Sequence, residues 1–483
     1  MKKLLLFITY TFMRINLIYA QDSQKILFDL ALELNQNYHN YKVQRIDKRR
    51  FDYKEYHLVL DEIIERSAGN LSKEKVGESF KGEPIFKVKF GKGNVKILMW
   101  SQMHGDEPTA SMAVLDLLKF LSSDKSITEE LKEKISLYIV PILNPDGMKR
   151  YERRNYQEID INRDALRLQT PEGKILKKLQ EEIKPDFAFN LHDQYTNYSV
   201  GYTGKPAAIS LLAPPFDMER RINDVRLRAI KVCVLIKEII ERFYGKYVAR
   251  YDDEYEPRAF GDNFQKWGTS TILIESGGYF NDPEKQEIRK MNFLSFVCAI
   301  YGIANKIYES KDEQEYTLIP ENKRLFFDLI IKNCKIEREG KTYLIDLGIS
   351  ASEKYDILRK RYINHYTITD LGDLSTHFAF DTLDGNYLTL ELGKIYERVL
   401  TRYSQLKKLN LKKLLQSGYT CIIYQGRFNE IEENSLLDRM ISTTKLPVRE
   451  PRKLLNHSAN LLLRDEKGIV KYCIVNGLVV KLK

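Results

Sequence analysis

The sequence predicts an α/β fold, a mixed and mostly parallel sheet flanked by helices, followed by a smaller C-terminal unit that is mainly β. Three observations carry this reading. Short apolar runs of strand length (residues 94–99, 135–141, 185–192 and 269–276) alternate with helix-like segments (110–120, 171–183, 218–244 and 283–309), as in sheets whose parallel strands are joined by helices. With 483 residues, 43% of them apolar, the chain is too long for one ordinary domain and can bury more than one core. The composition then shifts at a charged stretch, residues 310–315, beyond which 326–336 and 459–480 are β-patterned. The expected boundaries are a leader at 1–20, an α/β domain at 21–309 and an accessory domain without chemistry at 316–483.

Taken in order, residues 1–20 have a basic start, an apolar stretch interrupted by Arg14, and a small residue before a possible cut after Ala20, the pattern of a secretory signal peptide. The mature chain is therefore expected to be secreted or periplasmic. No other stretch approaches the roughly 18 apolar residues that span a bilayer, so no transmembrane segment is expected. Residues 24–75 have helical periodicity (Leu27, Leu30, Leu32 and Leu34, then Leu58, Leu60, Ile63 and Ile64) and read as an N-terminal helical cap. Residues 80–90 alternate as a hairpin would, with turn residues at 81–84 and 91–93. Asn144-Pro145-Asp146-Gly147 is a strong turn signal. Thr170 and Pro171 stand as N-cap and first residue of the 171–183 helix.

Chemistry concentrates where the 94–99 strand gives way to the 110–120 helix, at Trp100-Ser101-Gln102-Met103-His104-Gly105-Asp106-Glu107. On such a loop an imidazole and a carboxylate three residues apart can both turn onto one zinc ion, and a catalytic zinc site needs a third protein ligand and a water. Of the seven histidines, His39 and His57 lie in the N-terminal cap and His365, His377 and His457 lie in the second domain. His192 remains, at the end of an apolar strand where parallel sheets place their ligand sites. The adjacent Asp193 is a candidate to orient it.

These residues belong to an ordered series: His104-x-x-Glu107, Asn144-Pro145-Asp146-Gly147, Arg153-Arg154-Asn155, Asp160-Ile161-Asn162-Arg163, His192 and Glu275-Ser276-Gly277-Gly278. Across residues 75 to 305 the series resembles the motifs of the zinc metallocarboxypeptidases. The resemblance implies one zinc ion per chain on His104, Glu107 and His192, with Glu275 as the catalytic glutamate that carries a proton from water to the leaving nitrogen. It implies that Arg153, or its neighbour Arg154, steadies the oxyanion, and that Asn162 and Arg163 bind the terminal carboxylate of a peptide substrate with a free C-terminus. A tyrosine that covers the substrate is expected in the loop before Glu275, where Tyr255 is the choice and Tyr251 the alternative. The glycine pair after Glu275 is expected to leave room for substrate. The implied activity is hydrolysis of the last amide bond of a peptide. The alternatives are an amidase of cell-wall peptides or N-acyl amino acids on the same fold, or a binding module with a secondary zinc site.

The formal charge of +10 is spread among interspersed acids and bases, and nothing resembles a nucleic-acid motif, so no nucleic-acid partner is expected. The five cysteines, at 233, 298, 334, 421 and 473, are too few and scattered for a disulfide framework and lack zinc-ribbon spacing. Cys233 and Cys298 stand in apolar helix-like runs and read as buried thiols.

Overall fold

Residues 95–100 are apolar at every position but Lys96, which suits a strand covered on both faces. In the computed structural model, which describes residues 23–123, 125–443 and 453–482, Val95–Trp100 is an inner strand of an eight-stranded sheet. The leader expected at 1–20 lies outside the described residues. Val95–Trp100 pairs in parallel with Ile135–Val140 on one side and Phe187–Asp193 on the other, and Phe187–Asp193 pairs in parallel with Ser270–Ser276. Ile209–Leu212 runs antiparallel to Ser270–Ser276 and parallel to the edge strand Val248–Arg250. Pro84–Phe90 and Leu71–Glu78 complete the other edge as an antiparallel hairpin. The sheet is mixed and the helices flank it, as the alternation of apolar runs predicted.

Because successive strand residues point to opposite faces, the central strand feeds two cores. Ile97 and Met99 pack in a cluster with helices Thr109–Leu121, Asp224–Tyr244 and Gln286–Ala304. Leu98 and Trp100 pack in another with helices Pro171–Ile183 and Phe260–Lys266. The cap expected at Thr170 is present, its Oγ1 accepting the Gly173 N–H at 3.0 Å. The long helix starts at Asp224, capped by Asn223, rather than at 218. Among the described residues no helix is long and apolar enough to cross a membrane.

The N-terminal stretch differs from the helical cap expected over 24–75. Residues 23–36 and Tyr53–Arg66 are helical, but Ala68 and Gly69 turn left-handed (φ 50° and 87°) and end the helix, and the chain from Leu71 joins the sheet. Residues 38–46 are tied to the sheet's helices by a fully buried ion pair. Arg289 meets both carboxylate oxygens of Asp116, and the pair also binds the Tyr38 hydroxyl, the Val43 N–H and the Val43 and Ile46 carbonyls.

The boundary between the two units also moves. The chain divides between Arg324 and Leu325, not at 310–315. Two of those charges are paired with the Asp224–Tyr244 helix: Lys311 with Glu238 at 2.6 Å and Glu315 with Lys237 at 3.3 Å. Just beyond them Tyr316 is buried, its hydroxyl accepting the Ala213 N–H at 3.0 Å, and Asn322–Lys323 pairs with Ser199–Val200.

The unit from Leu325 to Lys483 is mainly β. Its long hairpin, Phe326–Arg338 with Lys341–Asp356, continues to Arg361–Gly372. Thr389–Leu392 then links Phe326–Arg338 to the C-terminal strands Leu461–Arg464, Val470–Val475 and Leu478–Lys481 in the same sheet. A small parallel sheet centred on Tyr419–Tyr424, with short helices, packs in a second cluster of this unit. All five cysteines are buried and free.

A chain ending at Arg324 should keep the stability of the first unit, whereas one ending at Glu309 should unfold at clearly lower urea concentration. Tyr316 and Ile319 are each buried and each worth about 2–5 kcal/mol by the usual cost of deleting a large core side chain. Equal urea midpoints for the two truncations would show that residues 310–324 contribute nothing.

Candidate metal centre and active site

The central strand ends in a sharp turn. Gln102 adopts φ 49° and donates its side-chain amide to the Gly105 carbonyl, which folds the loop back toward the strand. The Asn144-Pro145-Asp146-Gly147 turn fixes it from outside, Asn144 capping Gly147 and donating to the Met103 carbonyl. The two backbones touch here, since a Cβ on Gly105 would lie 2.0 Å from the Gly147 carbonyl carbon.

This loop brings His104 and Glu107 to His192 at the end of the neighbouring parallel strand. All three are buried, and one ligand atom from each lies within 4.8 Å of the others. Glu107 Oε1 stands 2.8 Å from His104 Nδ1 and Oε2 stands 2.8 Å from His192 Nδ1, so one carboxylate bridges both imidazoles. His104 turns its Nε2 to Asp160 Oδ1 at 3.0 Å. A carboxylate on Nε2 keeps the proton on that nitrogen, so that with a metal bound Nδ1 would be the electron-pair donor, the arrangement metal-ligating histidines use. Burial opposes charge on His104, yet the Glu107 charge and the Asp160 hydrogen bond outweigh it and lift the imidazole to about 9. Burial likewise opposes charge on Glu107, but the two imidazoles hold its carboxyl well below the usual range. Two imidazoles and one carboxylate that draw positive charge into a buried cluster are a donor set that fits zinc.

Asp160, which the sequence reading placed in the motif series without a role of its own, is therefore the orienting acid. Asp193 is not: its carboxylate accepts from Thr109 Oγ1 at 2.5 Å and Lys285 Nζ at 3.1 Å, while its backbone N–H reaches Glu107. Of the two candidate arginines, Arg153 enters the cluster, meeting Asp160 Oδ2 at 3.0 Å and Glu107 Oε1 at 3.2 Å. Arg154 turns away to the Glu158 carbonyl.

Glu275 is the register partner of His192 across the parallel pair, buried, and its Oε2 has no partner among the described residues. Burial and the Glu107 charge push its carboxyl well above the usual range. The glycine after Ser276 answers to packing rather than to substrate room, since a Cβ on Gly277 would lie 1.9 Å from the Ala207 carbonyl oxygen. Of the two candidate tyrosines, it is Tyr251 that the charges of this centre reach. Its phenol is raised first by the Glu275 charge, then by burial and by Glu107, whereas the Tyr255 phenol is raised by burial and by Asp262 and Asp217, away from the cluster.

The remaining pair sits together on a turn of 3-10 helix, Ile161–Arg163, capped by Asp160. Asn162 Oδ1 accepts the Phe260 N–H at 2.9 Å and so fixes the start of the Phe260–Lys266 helix. The partly exposed Arg163 guanidinium pairs through Nε with Glu256 at 3.0 Å.

Residues 56–189 match the family model described as zinc carboxypeptidase. The match takes in His104, Glu107, Arg153, Asn162 and Arg163 and ends before His192 and Glu275. Among curated relatives, the probable carboxypeptidase 2 of Trichophyton verrucosum is 30% identical over 214 residues, covering 43% of this chain and 39% of that protein. Carboxypeptidase 2 of Trichophyton rubrum is 31% identical over 100 residues, covering 20% of this chain and 19% of that one. A solved metallo-carboxypeptidase from Burkholderia cenocepacia aligns with a TM-score of 0.43 at 15% identity, covering 52% of this chain and 69% of that one. The chain thus spans less than half the length of the curated relatives it matches.

The protein should hold about one zinc per chain and lose it on His192→Ala, read by elemental analysis after gel filtration. Asp160→Ala should keep zinc but weaken its affinity by about 10–100-fold in chelator competition, because His104 loses the group that orients it. Undiminished zinc in His192→Ala, or unchanged affinity in Asp160→Ala, would contradict the assignment of ligand or orienting acid respectively.

Proposed function

We propose, from the premise that this chain carries a zinc carboxypeptidase domain, that it is an exported hydrolase that removes the C-terminal residue of peptides. The observation that carries the reading is the Glu107 carboxylate bridging His104 and His192, with the unpartnered Glu275 carboxyl beside His192 on the next strand. Export is supported by the signal-like pattern of residues 1–20.

Zinc held by His104, Glu107 and His192 would supply Lewis acidity, polarising the scissile carbonyl and acidifying the attacking water. Glu275 takes the water's proton at its free carboxylate oxygen and returns it to the leaving nitrogen, a role for which a raised pKa suits a carboxyl near neutral pH. Arg153 lies against Glu107 and Asp160 at the same centre and offers its guanidinium to the oxyanion. Tyr251, coupled to Glu275, takes the covering role first expected of Tyr255. Arg163 and Asn162 anchor the free carboxylate, which a guanidinium can meet with two parallel hydrogen bonds.

One observation favours the amidase alternative. Arg163 already has a carboxylate partner in Glu256, as it would if it served only as a structural ion pair. In the carboxypeptidase reading the substrate's carboxylate takes the place of Glu256. That exchange costs little, since both partners are partly exposed and the pair is screened by solvent.

Two substitutions separate these readings. Arg163→Ala should lower kcat/KM on peptides with a free C-terminus by about tenfold, a partly exposed guanidinium being screened by solvent, and amidating the peptide should have a similar effect on the wild type. Glu275→Gln should keep zinc and lower kcat by about 10² or more with KM little changed. Equal cleavage of free and amidated peptides by the wild type would move the assignment to an amidase.

A further inference from the structure

His192 and Glu275 stand one residue from the place where their strands part. The parallel pairing ends at Asp193 and Ser276, and one further bond follows, the Gln194 N–H reaching the Ser276 carbonyl at 3.0 Å. The spacing between a metal ligand and the carboxyl that works beside it is thus set at the end of a ladder, where strands open most easily.

Because successive strand residues point to opposite faces, Asp193 and Ser276 turn away from the metal centre. They face the helices Thr109–Leu121 and Gln286–Ala304, where Thr109 donates to Asp193 and Asn292 donates to Ser276 Oγ. One ammonium joins the two strand ends there. Lys285 Nζ donates to Asp193 Oδ2 at 3.1 Å and to the Ser276 carbonyl at 2.9 Å. Asp193 Oδ2 also accepts from Thr109 Oγ1 at 2.5 Å, and the Asp193 N–H reaches Glu107 Oε2 at 3.2 Å. The segments that carry Glu107, His192 and Glu275 therefore meet at Lys285, two of them directly and the third through Asp193.

Two features set this contact apart from a surface ion pair. Both side chains are only 7% exposed, so solvent screens the pair little. Lys285 also takes φ 52°, a left-handed conformation that residues with side chains rarely adopt, directly before the Gln286–Ala304 helix. Such a backbone persists only where its surroundings hold it, and here the two strand ends do so.

We propose that Lys285 is a positioning residue for hydrolysis: its ammonium cross-links the strand ends behind the metal centre and so fixes where Glu275 stands relative to His192. This rests on the hydrolase reading, carboxypeptidase or amidase alike, since both use zinc and Glu275. Lys285 acts through Asp193 and Ser276. A shift of about 1 Å in a reacting group costs on the order of 10²-fold in rate, so a loosened strand end is felt in turnover.

The test separates positioning from charge balance in the full-length zinc enzyme. Lys285→Met leaves the Asp193 carboxylate without its cation and should lower both the melting temperature and kcat. Combining it with Asp193→Asn removes both charges and should regain most of the melting temperature. In that double variant kcat should still lie about 10–100-fold below the wild type, with KM and zinc content little changed, because the Ser276 carbonyl lacks its ammonium. A kcat that recovers along with the melting temperature overturns the proposal and makes Lys285 a counter-charge only. If the wild type cleaves neither free nor amidated peptides, the hydrolase reading fails by itself, and hydrogen exchange then judges the cross-link. The Gln194 amide should exchange about tenfold or more faster in the zinc-loaded double variant than in the wild type. Unchanged exchange at Gln194 overturns the proposal independently of activity.

Discussion

Two imidazoles, a guanidinium and a backbone N–H, delivered by three different stretches of chain, converge on the Glu107 carboxylate. A buried carboxylate is stable only with such compensation, because its transfer from water costs far more than any single hydrogen bond returns. The rest of the catalytic unit can be read as the scaffold that brings these partners together. Placing Ile135–Val140 and Phe187–Asp193 on opposite sides of Val95–Trp100 opens a crevice at the strand ends, the position ligand sites occupy in sheets of this kind. The backbone contact of Gly105 with Gly147 then fixes the loop that carries two of the three ligands.

Much of this was legible in the sequence because it depends on local pattern. The strand ending at His192 and the capped helix from Pro171 to Ile183 follow from period and end signals alone, and His192 emerged because few histidines competed for its role. What was not legible depends on contacts between distant residues. Nothing local distinguishes Arg153 from Arg154, and only the folded loop turns one to Glu107 and the other to a surface carbonyl. Asp160 precedes His192 by a long stretch of chain yet binds the other histidine, while Asp193, adjacent to His192, serves Lys285. Tyr251 and Tyr255 are four residues apart on a segment without regular structure, so periodicity could not say which phenol the Glu275 charge acts on. The charged run at 310–315 misled for a related reason, since its partners lie on the Asp224–Tyr244 helix, some seventy residues earlier.

The site as folded is already balanced without a substrate. Arg163 rests against Glu256, which is also held by Arg258, and Arg153 rests against Asp160 and Glu107. Each cation has a carboxylate at hand, so an arriving anion exchanges partners instead of meeting an unpaired guanidinium.

The Asp116–Arg289 pair bears on what the N-terminal stretch does for the domain. Both charges are fully out of water, and part of their hydrogen bonding comes from residues 38–46 of the N-terminal stretch. Removing that stretch by proteolysis would leave the ion pair short of partners in a low-dielectric interior, a loss on the order of 3–5 kcal/mol if the pair itself is broken. A segment bound in this way is a structural stave of the domain and not a stopper that can be pulled from it. Excision of residues 38–46 would therefore weaken the domain that carries the metal centre instead of simply uncovering it.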